Sequence, residues 1–179
     1  MMPPLRTRPA TLADVPALVA LVNSAYRGES SRAGWTTEAD LVGGQRVDAE
    51  RLTEEVTRDG HVVLMHERDG SPVACVHLQR TRDGCYLGMF TVQPTAQGRG
   101  LGRQLLEAAE RWAVEQWNSS TVYMTVIIQR SDLITWYERR GYHRTGERRP
   151  FPHDDPRFGL PLRDDLEFEV LRKQVGAHV

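Results

Sequence analysis

The sequence predicts an α+β fold (an α/β sandwich), with a single mixed, mostly antiparallel sheet of about seven strands flanked by about four helices. Two observations support this prediction. In the middle of the chain, strands follow one another across short turns, as in antiparallel hairpins. Later in the chain, helices separate the strands, as in the crossovers that join parallel strands. A sheet that contains both kinds of connection is mixed.

The first half of the chain is expected to contain one strand, two helices and then three strands. Weak alternation over 5–11 predicts an edge strand, and apolar residues at helical spacing over 13–28 predict the first helix. A polar loop follows, with a short helix near Ala49–Thr57. Three strands are then expected at 61–68, 73–80 and 85–92, separated by the turn sequences DGSP and TRDG.

In the second half, helices alternate with strands. Leu101–Trp117 has the apolar stripe of a long amphipathic helix, and the unbroken apolar run at 121–128 predicts a strand buried on both faces. The segment 131–142 predicts a helix that stops at Gly141. Strands follow at 142–149 and 166–173, with a Pro-rich loop between them. No repeat or linker divides the chain, so residues 1–179 are expected to form a single domain.

The composition argues against several classes of protein. Of the 179 residues, 40% are hydrophobic and 26% are charged, as in ordinary globular proteins, and the net charge of −1 offers little attraction to nucleic acid or membranes. No segment approaches the roughly 20 apolar residues of a spanning helix. The N-terminal sequence lacks the apolar core of a signal peptide. We therefore predict a cytoplasmic protein that binds neither nucleic acid nor membranes.

Neither a disulfide nor a metal site is predicted. A hairpin about 81–84 would place Cys75 opposite Phe90 and far from Cys85, so both cysteines should remain thiols, which suits a reducing compartment. The histidines are scattered, and His61 and His66 are five residues apart on a predicted strand, so they face opposite sides. This spacing does not suit metal ligands.

The segment QGRGLGR at 97–103 has glycines at alternate positions between a predicted strand and a predicted helix. A helix N-terminus offers unsatisfied N–H groups and about half a positive charge, so it attracts phosphate. A turn that needs positive φ would explain the glycines equally well. The spacing fits neither the P-loop nor the dinucleotide pattern G-x-G-x-x-G, whose last glycine would fall on Arg103 or Leu105.

The segment QGRGLG resembles the Q/R-x-x-G-x-G/A signature of the GCN5-related N-acetyltransferases (GNAT), with Gln97, Gly100 and Gly102 at the signature positions. The preceding MFTVQPTAQ looks like the family's fourth strand and its loop, and WYERRGYHRTGE is similar to its LYxxxGF segment. Arg130 departs from the family pattern, which often has Asn there, and Leu133 stands in place of a small residue. The resemblance implies the GNAT fold and an acetyl-CoA-dependent N-acetyltransferase.

The resemblance also implies how acetyl-CoA, the donor cosubstrate, would bind. The turn amides would hold its pyrophosphate, and the pantetheine arm would pair with the preceding strand, which splays away from the next one. An N–H group near Met89 or Phe90 would polarise the thioester carbonyl. The expected cofactor-binding residues are Met89, Phe90, Val92, Gln97, Gly98, Arg99, Gly100, Leu101, Gly102 and Arg103.

By the same resemblance, Tyr137 occupies the position of the family's phenol, close to the coenzyme sulfur, and is the predicted proton donor to the leaving thiolate. The helix pattern alone favours a half-buried tyrosine whose ring packs in the core, and the resemblance to the family reverses that preference. No base is evident, because the strand at 85–92 has no carboxylate. The amine could attack already neutral, or a base could act through water, with Glu29, Glu38, His153, Asp154 and Asp155 as candidates.

The acceptor is expected between the first loop and the Pro-rich loop. The predicted acceptor-site residues are Tyr26, Glu29, Trp35 and Phe151, with Phe158 as a further apolar wall and Arg148, Arg149 and Arg157 as carboxylate ligands. The acceptor is a small-molecule or peptide amine, and an amino acid, a polyamine, a drug and a protein N-terminus all stay open. The alternative function is a non-catalytic acyl-CoA-binding regulatory module. The final strand and the exposed sheet edges could pair in a homodimer.

Overall fold

A computed structural model describes residues 4–27, 31–32, 34, 37–156 and 159–176. Within these ranges there are four α-helices of eight residues or more, a seven-stranded sheet and a two-stranded sheet. The helices are α1 (Val15–Tyr26), α2 (Ala49–Thr57), α3 (Leu101–Trp117) and α4 (Ser131–Glu138). The strands are β1 (Arg6–Pro9), β2 (Val42–Gly43), β3 (His61–Arg68), β4 (Ser71–Thr81), β5 (Gly84–Val92), β6 (Thr121–Ile127), β7 (His143–Pro150), β8 (Leu160–Pro161) and β9 (Glu167–Gln174).

The large sheet has the strand order β1-β3-β4-β5-β6-β9-β7. Each neighbouring pair in this order is antiparallel except β5 and β6, which are parallel. The predicted mixed, mostly antiparallel sheet is therefore confirmed. The small sheet pairs β2 with β8 and was not predicted, since two residues are too few to show an alternating pattern.

Strands β5 and β6 pair only at their first residues, where Cys85 lies opposite Val122 and Tyr86 opposite Tyr123. Beyond this point β5 contains a bulge. Its register with β4 shifts, and Met89 has a φ of 53°, which is uncommon for a residue other than glycine. A bulge bends the strand that carries it. The bend separates β5 from β6 and opens a gap in the middle of the sheet.

Helices cover both faces of the sheet. Alternate residues of β3 point to opposite faces, so that Leu64 packs in a core beneath α3, and Met65 packs in a second core with α1 and α2. Strand β6 is buried along nearly its whole length, as its apolar run predicted. These two cores hold β5 and the ends of α1, α3 and α4 in fixed positions around the gap.

The two ends of the large sheet are β1, as predicted, and β7. The final strand β9 lies between β6 and β7, so the prediction that it could pair with a second copy is wrong. Every residue of β7 is exposed, and β7 therefore presents the free edge at that end of the sheet.

The remaining predictions from the sequence concern the cysteines and membrane helices. Cys75 lies opposite Thr91 and Cys85 opposite Arg80, and both are buried free thiols. The prediction that they form no disulfide is confirmed. No helix in the described ranges is long and apolar enough to cross a membrane.

Candidate active site

The glycine turn joins β5 to α3. Gly98 and Gly100 have φ values of 83° and 80°, in the left-handed region that favours glycine. A Cβ atom at either position would meet nothing within 4 Å. At Gly102 a Cβ would lie 3.3 Å from the Trp136 ring, so this glycine permits close packing instead. The turn therefore has the positive φ values and also open space above it for a ligand.

A cavity of about 220 Å³, here called the turn cavity, lies between the glycine turn, the end of β5 and α4. The predicted coenzyme residues in its lining are Phe90, Val92, Gln97, Gly98, Gly100, Gly102 and Arg103. Arg99 is exposed on the turn, and the side chain of Leu101 is buried in the core, so neither side chain lines it. Met89 lines a neighbouring cavity.

Two carbonyl groups of β5 that face this region have side-chain partners. Gln97 Nε2 donates a 3.0 Å hydrogen bond to the Val92 carbonyl, and the Tyr26 hydroxyl donates one of 2.6 Å to the Phe90 carbonyl. Gln97 therefore braces the turn against the strand. A carbonyl oxygen has two lone pairs, so each of these groups can still accept one more bond from a pantetheine amide.

Helix α4 brings Tyr137 to the cavity wall. Its ring packs edge-on against Phe90 and Tyr142, at centroid distances of 6.0 and 5.8 Å, and its hydroxyl has no hydrogen-bond partner among the described residues. The side chain is only 3% exposed. Burial raises the pKa of the phenol, so the hydroxyl is protonated at neutral pH and has a proton to donate.

Sequence reasoning named only Tyr137 on this helix, but this segment carries three more lining residues. Leu133, Trp136 and Arg140 also line the turn cavity. Leu133 lies four residues before Tyr137 and Arg140 three residues after it, which is the spacing of one helical face and was the available signal, whereas Trp136 directly precedes Tyr137. The Arg140 guanidinium lies over the Trp136 ring, 3.6 Å from its centroid.

A second cavity of about 360 Å³, here called the gap cavity, lies where β5 and β6 separate. Five residues line both cavities: Tyr26, Phe90, Arg130, Leu133 and Tyr137. The two cavities therefore meet beside the Tyr137 phenol. Of the predicted acceptor residues, Tyr26 and Phe151 line the gap cavity, and Glu29 and Trp35 lie outside the described residues.

Charged side chains in the lining of the gap cavity are mostly basic. They are Arg27, Arg46, Arg51 and Arg130, with Glu38 as the acidic residue. Glu38 is buried and forms ion pairs with both Arg27 and Arg130, the latter at 3.1 Å. Two guanidinium groups stabilise its charged form, so Glu38, a candidate base from the sequence, is poorly suited to accept a proton.

The other two arginines differ in their pairing. Arg51 forms a 3.1 Å ion pair with Glu55 of the same helix. Arg46 lies over the Tyr26 ring, 5.3 Å from its centroid, and has no carboxylate partner among the described residues. Among the described residues that line the gap cavity, four arginines and one glutamate carry charge, so positive charge exceeds negative charge in this lining.

The remaining candidates from the sequence do not reach either cavity. His153 Nδ1 lies 2.9 Å from the Phe151 carbonyl oxygen, and neither His153 nor its two acidic neighbours Asp154 and Asp155 line a cavity. Arg148 and Arg149 lie on the exposed strand β7. Arg157 and Phe158 lie outside the described residues.

Comparison with known proteins gives one family. The model of the Acetyltransferase (GNAT) family matches residues 21–142. No curated protein sequence matches the chain.

Many solved structures share the fold, at low sequence identity. The ribosomal-protein-S18-alanine N-acetyltransferase of Escherichia coli is 16% identical, with 98% of this chain and 97% of that chain covered and a TM-score of 0.70. The ribosomal-protein-alanine N-acetyltransferase of Brucella melitensis is 24% identical, with 95% and 99% covered and a TM-score of 0.69. A Salmonella typhimurium structure solved with its cofactor acetyl-CoA is 19% identical, with 98% and 96% covered and a TM-score of 0.70.

Proposed function

The chain belongs to the GNAT family of acetyl-CoA-dependent N-acetyltransferases, and we propose that its acceptor is the primary amine of a small molecule that also carries a carboxylate. The observation that carries the proposal is the excess of arginine around the gap cavity, which meets the turn cavity beside Tyr137. We also propose that residues 1–179 form one N-acetyltransferase domain, because the first strand, β1, and the last strand, β9, belong to the same sheet. A homodimer through β7 stays a prediction.

We assign acetyl-CoA to the turn cavity. The open space over Gly98 and Gly100 gives a phosphate access to the backbone amides at the start of α3, where the helix dipole favours an anion. Arg103 and Arg140 line the same cavity and add positive charge. The coenzyme sulfur would then lie toward the end of the cavity that Tyr137 lines.

Acetyl-CoA supplies the acetyl group as a thioester, and the chain's own residues do the rest. We assign to the Tyr137 phenol, which burial keeps protonated, the transfer of a proton to the sulfur as the C–S bond breaks. The stretch of β5 around Met89 and Phe90 has no pairing with β6, so a backbone N–H there can polarise the thioester carbonyl.

The charge of the gap cavity favours an acceptor with a carboxylate. Guanidinium groups bind carboxylates through paired charge-assisted hydrogen bonds, and an excess of arginine repels polyamines and polycationic drugs. The same positive charge lowers the pKa of an ammonium group and so increases the fraction of neutral amine that can attack. The rings of Phe151 and Phe168, 5.5 Å apart, give an apolar wall for a side chain.

A panel of acceptors tests this function by thiol release from acetyl-CoA. The panel contains glutamate, methionine and phenylalanine, the amide of each at its α-carboxyl group, spermidine and a peptide with N-terminal alanine. We expect the free amino acids to exceed their amides by about tenfold or more in kcat/KM per neutral amine, since the amides cannot form the ion pair. Equal rates for the amides, or a preference for spermidine or the peptide, would contradict the proposed acceptor.

The same panel separates a catalyst from the alternative, a non-catalytic acyl-CoA-binding module. Stabilisation of the protein by acetyl-CoA in a thermal shift measurement, without thiol release from any amine, would support the binding module. A lack of stabilisation by acetyl-CoA would contradict both functions.

A further inference from the structure

A third cavity, of about 270 Å³ and largely polar, adjoins the gap cavity behind β5. It lies between α2 and the neighbouring ends of β3, β4 and β5. The two cavities have five lining residues in common: Arg46, Arg51, Tyr86, Gly88 and Met89. The two cavities therefore share a wall that includes the bulged part of β5.

The third cavity contains a buried carboxylate with a free oxygen. Glu55 is 7% exposed, and its Oε1 accepts a 3.1 Å hydrogen bond from Arg51 Nε. Its Oε2 is buried without a hydrogen-bond partner among the described residues. Buried carboxylate oxygens are rarely left unpaired, because they lose their hydration without compensation. An oxygen in this state is ready to accept a proton from a group that enters the cavity.

Two histidines continue from Glu55 toward solvent. His77 Nδ1 lies 3.8 Å from Glu55 Oε1, and His77 Nε2 lies 2.9 Å from His61 Nδ1, with the two rings stacked. Burial, with the nearby His61, lowers the pKa of His77 to about 3, so its ring is neutral at working pH. A neutral imidazole accepts a proton at one nitrogen and donates from the other. His61 is only partly buried and can exchange protons with water.

We propose that Glu55 accepts a proton from the acceptor amine and that His77 and His61 pass this proton to solvent. The proposal rests on the proposed function and supplies the base that β5 lacks. The gap of 3.8 Å between His77 and Glu55 is too long for a direct hydrogen bond, so the transfer uses a water molecule or a small shift of the carboxylate.

The protons balance as follows. The acceptor enters as an ammonium ion, and its first proton moves through water beside Gly88 to Glu55 and leaves through the histidines. The neutral nitrogen forms the C–N bond to the acetyl carbon, and the C–S bond breaks. Tyr137 protonates the sulfur, and the second proton of the nitrogen, released as the amide forms, replaces the proton that Tyr137 gave.

The titratable groups around Glu55 come from four elements and from the residues that flank α2. Arg51 and Glu54 lie on α2, His61 on β3, His77 on β4 and Tyr86 on β5, while Arg46 precedes α2 and Arg58 directly follows it. Burial raises the pKa of Glu55, and Arg51 is the main opposing influence. The carboxylate is thus a stronger base than an exposed glutamate, yet it can still ionise.

The first test compares Glu55→Gln with Glu50→Gln, since both residues lie on α2 and the exposed Glu50 lines none of the three cavities. The probe is the fastest amino acid of the acceptor panel, with kcat measured against pH and the Kd of acetyl-CoA measured alongside. We expect E55Q to lower kcat by about 10²-fold. In the wild type, kcat should fall as the pH drops through the raised pKa of Glu55, and in E55Q this pH dependence should be absent. E50Q should match the wild type, and Glu55→Asp should recover part of the rate.

The second test uses His61, because it is partly exposed and its replacement should leave the fold intact. We expect His61→Ala to slow kcat about fivefold or more in dilute buffer and to be restored by added imidazole, which a purely structural role would not produce. An E55Q protein that keeps the wild-type rate and pH profile, or an H61A protein that is unimpaired or is not restored by imidazole, overturns the relay. Absence of thiol release by the wild type would instead contradict the proposed function.

Discussion

The hydroxyl of Tyr26 donates a 2.6 Å hydrogen bond to the carbonyl oxygen of Phe90 and so ties the last residue of α1 to the bulged part of β5. That part of β5 has no pairing with β6, and a buried carbonyl without a partner would be costly. The two side chains also line both the turn cavity and the gap cavity. One hydrogen bond therefore helps to fix the wall where donor and acceptor are expected to meet.

Removing this bond should affect stability and coenzyme binding together. We expect Tyr26→Phe to lower the free energy of unfolding by about 1–3 kcal/mol, because the Phe90 carbonyl loses its partner. The Kd of acetyl-CoA should rise, since β5 is then held less firmly. Denaturant unfolding and calorimetric titration measure the two effects.

Tyr123→Phe is the matched control. The Tyr123 hydroxyl donates a 3.0 Å hydrogen bond to Thr81, and neither residue lines the turn or gap cavity. Its loss should lower stability and leave the Kd of acetyl-CoA unchanged. If Tyr26→Phe, like this control, lowers the stability but leaves the Kd of acetyl-CoA unchanged, the hydrogen bond between Tyr26 and Phe90 has no role in coenzyme binding.

Tyr137→Phe should separate binding from turnover. Without the phenol the leaving sulfur has no proton donor, so kcat should fall about 10²–10⁴-fold while the Kd of acetyl-CoA stays within about twofold. Tyr142→Phe removes a neighbouring hydroxyl that binds Glu110 at 3.0 Å and lines neither cavity, and it should leave kcat unchanged. Equal kcat values for the two variants would remove Tyr137 from the reaction.

Gly100→Ala should weaken coenzyme binding beyond its effect on stability. A Cβ at this φ of 80° costs about 1–2 kcal/mol and would occupy the space assigned to the pyrophosphate. Gly146 on β7 has a φ of 83° and equally open surroundings, away from both cavities. Gly146→Ala should thus lose similar stability and keep the wild-type Kd. Identical Kd values for the two variants would count against a pyrophosphate site at the turn.

The acceptor proposal predicts a specific role for Arg46. We expect Arg46→Gln to raise the KM for the best amino-acid acceptor about tenfold and to leave the KM for acetyl-CoA unchanged, since Arg46 lines the gap cavity and does not line the turn cavity. Arg148→Gln, on the exposed strand β7, should change neither value. A larger effect at Arg148 than at Arg46 would favour the carboxylate ligand expected from the sequence.

Sequence patterns predicted the helices and strands that are long enough to show a regular spacing of apolar residues. The bounds of α2 and α3 were predicted as observed, because helical periodicity and the flanking turn residues define them. The strands β2 and β8 are too short to show any pattern. The bulge at Met89 follows Gly88, and a glycine inside a strand often marks a bulge, but the packing of β5 against its neighbours decides whether one forms.

The site was predictable only where its residues are close together in the chain. The glycine turn and Tyr137 lie within single motifs that resemble a family pattern. The arginines of the gap cavity come from the end of α1, the loop before α2, α2 itself and the start of α4, so only folding brings them together. Arg148 and Arg149 were predicted as carboxylate ligands from their position beside the Pro-rich loop, but β7 is the edge strand and exposes them to solvent.

A crystal structure with coenzyme A tests the central claim most directly, because it locates both the pyrophosphate and the sulfur. We predict the pyrophosphate at the backbone amides of residues 98–102 and the sulfur within about 4 Å of the Tyr137 hydroxyl, where the two cavities meet. A coenzyme bound elsewhere, or a sulfur outside the reach of this hydroxyl, would contradict the account.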